Sequence, residues 1–134
     1  MAKLVEVEGI GPVYAKKLAA AGLKTTDALL GKGASPKGRK EIAEQAKIDP
    51  KLVLKWVNHV DLFRIKGVGQ EYADLLEAAG VDTVPELAQR KPAALVEKMA
   101  EVNKKKKLVR QLPVETQVAR WVAQAKELPR KITY

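Results

Sequence analysis

The sequence predicts an all-α protein of two repeats, each a Gly-x-Gly hairpin followed by a pair of helices, packed as a pseudo-twofold compact helical domain. Three observations carry this. No period-2 run of β-branched or aromatic residues exceeds four, while Ala, Leu, Lys and Glu dominate the chain. Apolar residues recur instead at helical spacing. Residues 7–30 also align without gaps on residues 65–88, with ten of 24 positions identical.

The identities are Gly9/Gly67, Gly11/Gly69, Tyr14/Tyr72, Ala15/Ala73, Leu18/Leu76, Ala20/Ala78, Ala21/Ala79, Gly22/Gly80, Thr25/Thr83 and Leu29/Leu87. They fall where a turn or a core contact would demand them. Pro12 suits the first position of a helix that runs to Ala21 and closes on Gly22, and its counterpart runs from about Gln70 to Ala79 and closes on Gly80. Ser35-Pro36 and Asp49-Pro50 pair an N-cap with a first-turn proline, which starts helices near 36–46 and 50–60. Thr83 and Glu86 have the spacing of a capping box.

Leu52, Val53, Trp56, Val57 and Val60 form one apolar stripe, matched by Val118, Trp121, Val122, Ala125 and Leu128 before Pro129 stops the last helix. The two Trp-Val pairs are offset by 65 rather than 58, so the second repeat holds about seven extra residues. The stretch Lys104 to Lys107 is the natural place for them. The halves divide as 1–64 and 65–134.

Twenty-five Lys and Arg against 16 Asp and Glu give a net charge of +9. The excess is shared between the halves, since 12 basic and 7 acidic residues precede residue 65. This balance fits a polyanion such as nucleic acid. There is no cysteine, which excludes disulfides, iron–sulfur clusters and thiolate zinc sites. Neither an export signal nor a membrane span is read, so the cytoplasm is the expected compartment.

No nucleophile–base pair, metal cluster or set of converging carboxylates stands out, so the expectation is a non-enzymatic protein without cofactor, metal or small-molecule substrate. His59, the only histidine, sits between Asn58 and Asp61 near a helix end and reads as a surface or capping residue. Tyr14 and Tyr72 are expected to turn toward the core, as are Trp56 and Trp121.

Each hairpin presents glycines to a helix start, where free N–H groups and the positive end of the helix dipole favour an anion. Gly9, Ile10, Gly11 and Val13 have Lys16 and Lys17 one turn on, opposed only by Glu8. Gly67, Val68 and Gly69 have Lys66 as the adjacent cation and face Glu71 and Asp74. The first is therefore the expected phosphate site, with the second as its structural twin. Two further basic patches, Lys104, Lys105, Lys106 and Lys107 with Arg110, and Lys37, Arg39 and Lys40, suit either a phosphate backbone or a solvated face.

The pattern hydrophobic–Gly–hydrophobic–Gly, then Tyr-Ala-x-x-Leu and a closing Ala-Gly, resembles the helix-hairpin-helix motif of many DNA repair and replication proteins. That resemblance implies binding of the DNA phosphate backbone without sequence preference. The whole chain also resembles an uncharacterised bacterial family of tandem helix-hairpin-helix proteins. The likeness runs through Val7 to Ala15, Pro36 to Lys40, Leu54 to Asn58, Leu62 to Ala73, Leu75 to Ala79 and Leu128 to Arg130. The competing expectation is a protein-interaction or self-assembly module, because the small face Ala19-Ala20-Ala21 permits close helix approach.

Overall fold

The structure, a computed structural model, describes residues 4, 7 and 9–134. Glu8, the acid expected to oppose the first hairpin, lies outside the described residues. Eight helices make up the described chain: α1 (Gly11–Ala20), α2 (Thr26–Gly33), α3 (Pro36–Ala46), α4 (Pro50–Leu62), α5 (Gln70–Ala78), α6 (Val84–Ala88), α7 (Pro92–Lys106) and α8 (Glu115–Glu127). No β-strand occurs among the described residues. None of these helices is long and apolar enough to cross a membrane.

The chain forms two compact units. One is Met1–Asp61 with Lys131–Tyr134, and the other is Leu62–Arg130. The sequence alone assigns the last four residues to the second half, whereas in the structure they lie on the first unit. There the Thr133 amide donates to the Ala34 carbonyl at 2.7 Å and Ile132 is buried.

Local chemistry sets the helix ends. α1 and α5 close in the same way: the Leu23 amide reaches the Leu18 carbonyl at 2.9 Å while Gly22 reaches Ala19 at 3.0 Å. Val81 and Gly80 likewise reach Leu76 and Glu77 at 2.8 and 3.0 Å. This is a Schellman closure, which needs a left-handed residue just past the helix. Gly22 and Gly80 supply it, with φ of +88° and +96°. The Ser35 hydroxyl accepts the Gly38 amide at 3.0 Å, and Thr25 accepts Ala28 at 3.1 Å.

The capping box does not form as expected. Thr83 holds the N-cap position of α6, but its side chain caps no amide. Glu86 pairs with Arg90 at 2.7 Å instead, one turn along the chain.

In the first unit α3 packs on α1 and α2, and the α4 stripe is buried at Val53, Trp56, Val57 and Val60. α4 runs to Leu62, past the expected end near residue 60. His59 is therefore inside a helix and only 1% exposed, so the surface role expected for it is corrected. In the second unit α8 packs on α6 and α7, and α7 on α5. Trp121 lies at the centre with Val118, Leu76, Leu87 and Met99.

Candidate nucleic-acid interface

Both Gly-x-Gly turns are wound the same way at their base. The Ile10 amide donates to Val7 and the Val68 amide to Ile65, each at 3.1 Å. Ile10 and Val68 are buried. Their side chains and amides are thus committed to the fold, which corrects their expected place among ligand contacts. Gly9 and Gly67, with φ of +85° and +94°, let the chain turn over an indole. A Cβ built on Gly9 would lie 3.3 Å from Trp56 Nε1, and one on Gly67 would lie 3.1 Å from Trp121 Nε1. The tyrosines complete the arrangement, with Tyr14 5.1 Å from Trp56 and Tyr72 5.2 Å from Trp121 between ring centroids.

The second glycines differ. Gly11 is left-handed at φ +58°, whereas Gly69 is the extended N-cap of α5 at φ −99°. A glycine takes the left-handed conformation at Gly11 without steric cost, and Pro12 follows it in the first turn of α1. Gly69 precedes Gln70 and its carbonyl accepts the Ala73 amide at 2.9 Å, an ordinary first turn.

Around the first turn the charges suit an anion. α1 has no acid in its first turn, Lys16 and Lys17 are exposed, and Val13 is 68% exposed. The Lys17 ammonium lies 5.7 Å above the Tyr14 ring, within cation–π range, which holds it near the hairpin.

Around the second turn the structure brings together residues that the sequence keeps apart. Lys104, Lys105 and Lys106 form the last turn of α7 rather than a loop, and Lys107 is left-handed at φ +52°. Cations there also suit the negative end of the helix dipole. α7 has 15 residues against 11 in α3, so part of the extra length is helix.

The rest is a folded loop. The Asn103 side chain donates to the Val109 carbonyl at 3.2 Å and accepts its amide at 3.0 Å, while Tyr72 donates its hydroxyl to the Gln111 carbonyl at 3.1 Å. This loop and the second hairpin together line an open cleft of about 460 Å³, at Gly67, Gly69, Gln70, Glu71, Tyr72, Arg110 and Gln111. The second hairpin therefore has Arg110 as a cation in addition to Lys66, whose backbone is clamped by the Gln124 side chain at 3.0 and 3.4 Å. The sequence marks Arg110 as part of the basic patch, but no local pattern signals its approach to the second hairpin, which depends on Asn103 and Tyr72.

The remaining basic patch separates. Lys37 and Lys40 are exposed on α3, but Arg39 is buried on its opposite face. Its guanidinium donates to the carbonyls of Gly33 at 2.8 Å, Ala34 at 3.2 Å and Thr133 at 2.7 Å, and lies 5.6 Å from the Tyr134 ring. Arg39 is thus a structural residue, a correction to its expected place beside a phosphate. Loss of hydration lowers its pKa from the ordinary guanidinium value. Glu41, two residues further along α3, has its carboxyl held low by a hydrogen bond from Lys32, with Lys37 adding to the effect.

Among the described residues no group of three His, Cys, Asp or Glu could hold a metal ion. No curated protein and no solved structure matches the chain. A family model does, over residues 8–128, which takes in both Gly-x-Gly turns, the loop after α7 and all eight helices. The chain belongs to the family described as a domain of unknown function, DUF4332.

Proposed function

We propose that this protein binds the nucleic-acid backbone, DNA foremost, without catalysis and largely without regard to sequence, using its first Gly-x-Gly turn as a helix-hairpin-helix motif together with its basic patches. The observation that carries the reading is the first turn of α1: acid-free, entered through Gly9 and Gly11, and followed by exposed Lys16 and Lys17. Such a turn offers amides and a dipole to a phosphate, with cations one turn away. Lys37, Lys40 and Lys104 to Lys107 extend the electrostatic attraction, which accords with the net charge of +9.

Titration of a short duplex at increasing salt tests this. The expected log–log slope is roughly −3 to −4, or about four phosphates engaged, and absence of binding at about 50 mM salt refutes the reading. Lys16→Glu with Lys17→Glu should remove most of the affinity. If only reversal of Lys104 to Lys107 does so, the hairpin assignment is wrong.

A second reading, a protein-interaction or self-assembly module, rests on the small residues Ala19, Ala20 and Ala21 at the end of α1, of which Ala20 is exposed and the other two half-buried. Light scattering across concentrations separates the two. A stable oligomer indifferent to DNA supports assembly, and a monomer that shifts on adding DNA supports the nucleic-acid reading.

A further inference from the structure

Residues Lys131–Tyr134 have no regular secondary structure and lie on the first unit as an extended segment. Lys131, Thr133 and Tyr134 are exposed, and the Ile132 side chain alone is buried. The Thr133 amide and hydroxyl both donate to the Ala34 carbonyl, at 2.7 and 3.3 Å, and the Tyr134 hydroxyl donates to the Asn58 side chain. One buried aliphatic side chain and the bonds of two exposed residues are set against the entropy of ordering the segment, and these opposing terms are of similar size. Such a segment opens locally while the helices beneath it stay folded.

What the segment covers is a cation whose two arms are bound to different parts of the fold. The Arg39 Nη1 donates to the carbonyls of Gly33 and Ala34 at 2.8 and 3.2 Å, which anchors the guanidinium to the end of α2. Its Nη2 donates to the Thr133 carbonyl at 2.7 Å, and the Tyr134 ring lies 5.6 Å from the guanidinium carbon. Departure of the segment therefore leaves Arg39 anchored through Nη1 and takes the acceptor from Nη2. Thr133 is itself exposed, so that arm lies directly beneath the surface layer. A charged donor stripped of its acceptor calls for another, and a phosphate oxygen takes a guanidinium N–H more strongly than a neutral carbonyl does.

We propose that residues 131–134 are an autoinhibitory strap. Docked, the strap makes Arg39 the structural residue described above. Released, it leaves the Nη2 edge of an anchored guanidinium to a phosphate oxygen and adds a third cation to α3, which already carries exposed Lys37 and Lys40. The proposal rests on the nucleic-acid reading for the identity of the anion.

Two full-length variants open the strap in different ways. Ile132→Ser removes its buried anchor, and Tyr134→Ala removes the ring beside Arg39 and the bond to Asn58 while keeping Ile132. Phenylglyoxal labels accessible guanidinium groups, and mass spectrometry reads Arg39 against exposed Arg110 in the other unit. In either variant Arg39 should label about tenfold faster than in the parent, relative to Arg110. Titration of the short duplex should show a log–log salt slope steeper by about one, with affinity raised on the order of threefold at low salt. Bound duplex should slow the labelling of Arg39 in the opened variants.

The proposal is overturned if Arg39 labels at the parent rate in both variants, which means that the strap does not shield it. It is equally overturned if Arg39 labels faster but duplex neither shields it nor binds with a steeper slope. In that second case a parent that still binds duplex leaves the nucleic-acid reading standing. If neither parent nor variants bind duplex, both fall. Binding by the opened variants alone supports the strap and removes α1 as the principal site.

Discussion

Arg39 and Thr133 are joined across 94 positions by a hydrogen bond of 2.7 Å, from a guanidinium that two carbonyls at the end of α2 also hold. Tyr134 extends the contact, lying against Arg39 and donating its hydroxyl to the Asn58 side chain at 3.1 Å. Arg39→Ala leaves three carbonyls without this donor and is expected to cost about 2–4 kcal/mol. Thermal melting measures the loss. Because the side chain is turned inward, Arg39→Lys should lower the melting temperature without changing the salt slope of duplex binding. A reduced slope would return Arg39 to the interface.

The two glycines of the second hairpin should respond unequally to the same change. Gly67→Ala places a side chain at φ +94° and 3.1 Å from the Trp121 indole nitrogen, and is expected to cost about 1–3 kcal/mol. Gly69→Ala, which meets no steric contact but replaces a favourable N-cap residue, should cost less, about 0.5–1 kcal/mol. Urea unfolding of the pair decides the matter, and equal losses would mean that Gly69 is constrained by the fold after all.

Gly38, in the first turn of α3, tests packing against propensity. Alanine is favoured over glycine in a helix by about 1 kcal/mol, so propensity alone predicts a gain. A Cβ there would overlap the Lys32 backbone carbonyl, which cannot swing aside as a side chain could. Gly38→Ala is therefore expected to destabilise by about 2 kcal/mol or more, read from the urea midpoint.

Asp82 gives the fold a pH dependence of known sign. Burial pushes its carboxyl above the ordinary carboxylate range, and Glu86 and Glu77 add to the shift, against a backbone hydrogen bond and Arg90. The folded state therefore binds more protons than the unfolded state between the ordinary and the raised values. Stability from this group is full below the ordinary carboxylate pKa and falls as pH rises through the raised one. Asp82→Asn should melt higher than the parent at neutral pH, and the difference should close on acidification. A difference that grows in acid contradicts this.

Trp56 and Trp121 each support a hairpin, so their loss should reach the glycines above them. Trp121→Ala is expected to cost about 3–5 kcal/mol. Trp121→Phe keeps most of the apolar volume and should cost less. Amide hydrogen exchange at Gly67 to Gly69 should speed up in Trp121→Phe while exchange at Gly9 to Gly11 stays unchanged. Equal protection at both hairpins would mean that the indole does not support the turn.

The sequence by itself determined what is settled within a few residues. The all-α class, the glycine closures after α1 and α5, the Ser35 cap and the two buried Trp stripes follow from dihedral freedom, capping chemistry and periodicity. The exposure of Lys16, Lys17, Lys37 and Lys40 was readable in the same way. Tertiary structure decided the rest. It turned Arg39 inward to meet Thr133, buried His59 in an α4 longer than expected, and left the Thr83 side chain without a cap to make. It also carried Arg110 to Gly67 and Gly69, because Asn103 folds the loop and Tyr72 tethers it 39 positions away at Gln111. Each of these depends on which distant groups fill a shared space, and neither periodicity nor spacing encodes that.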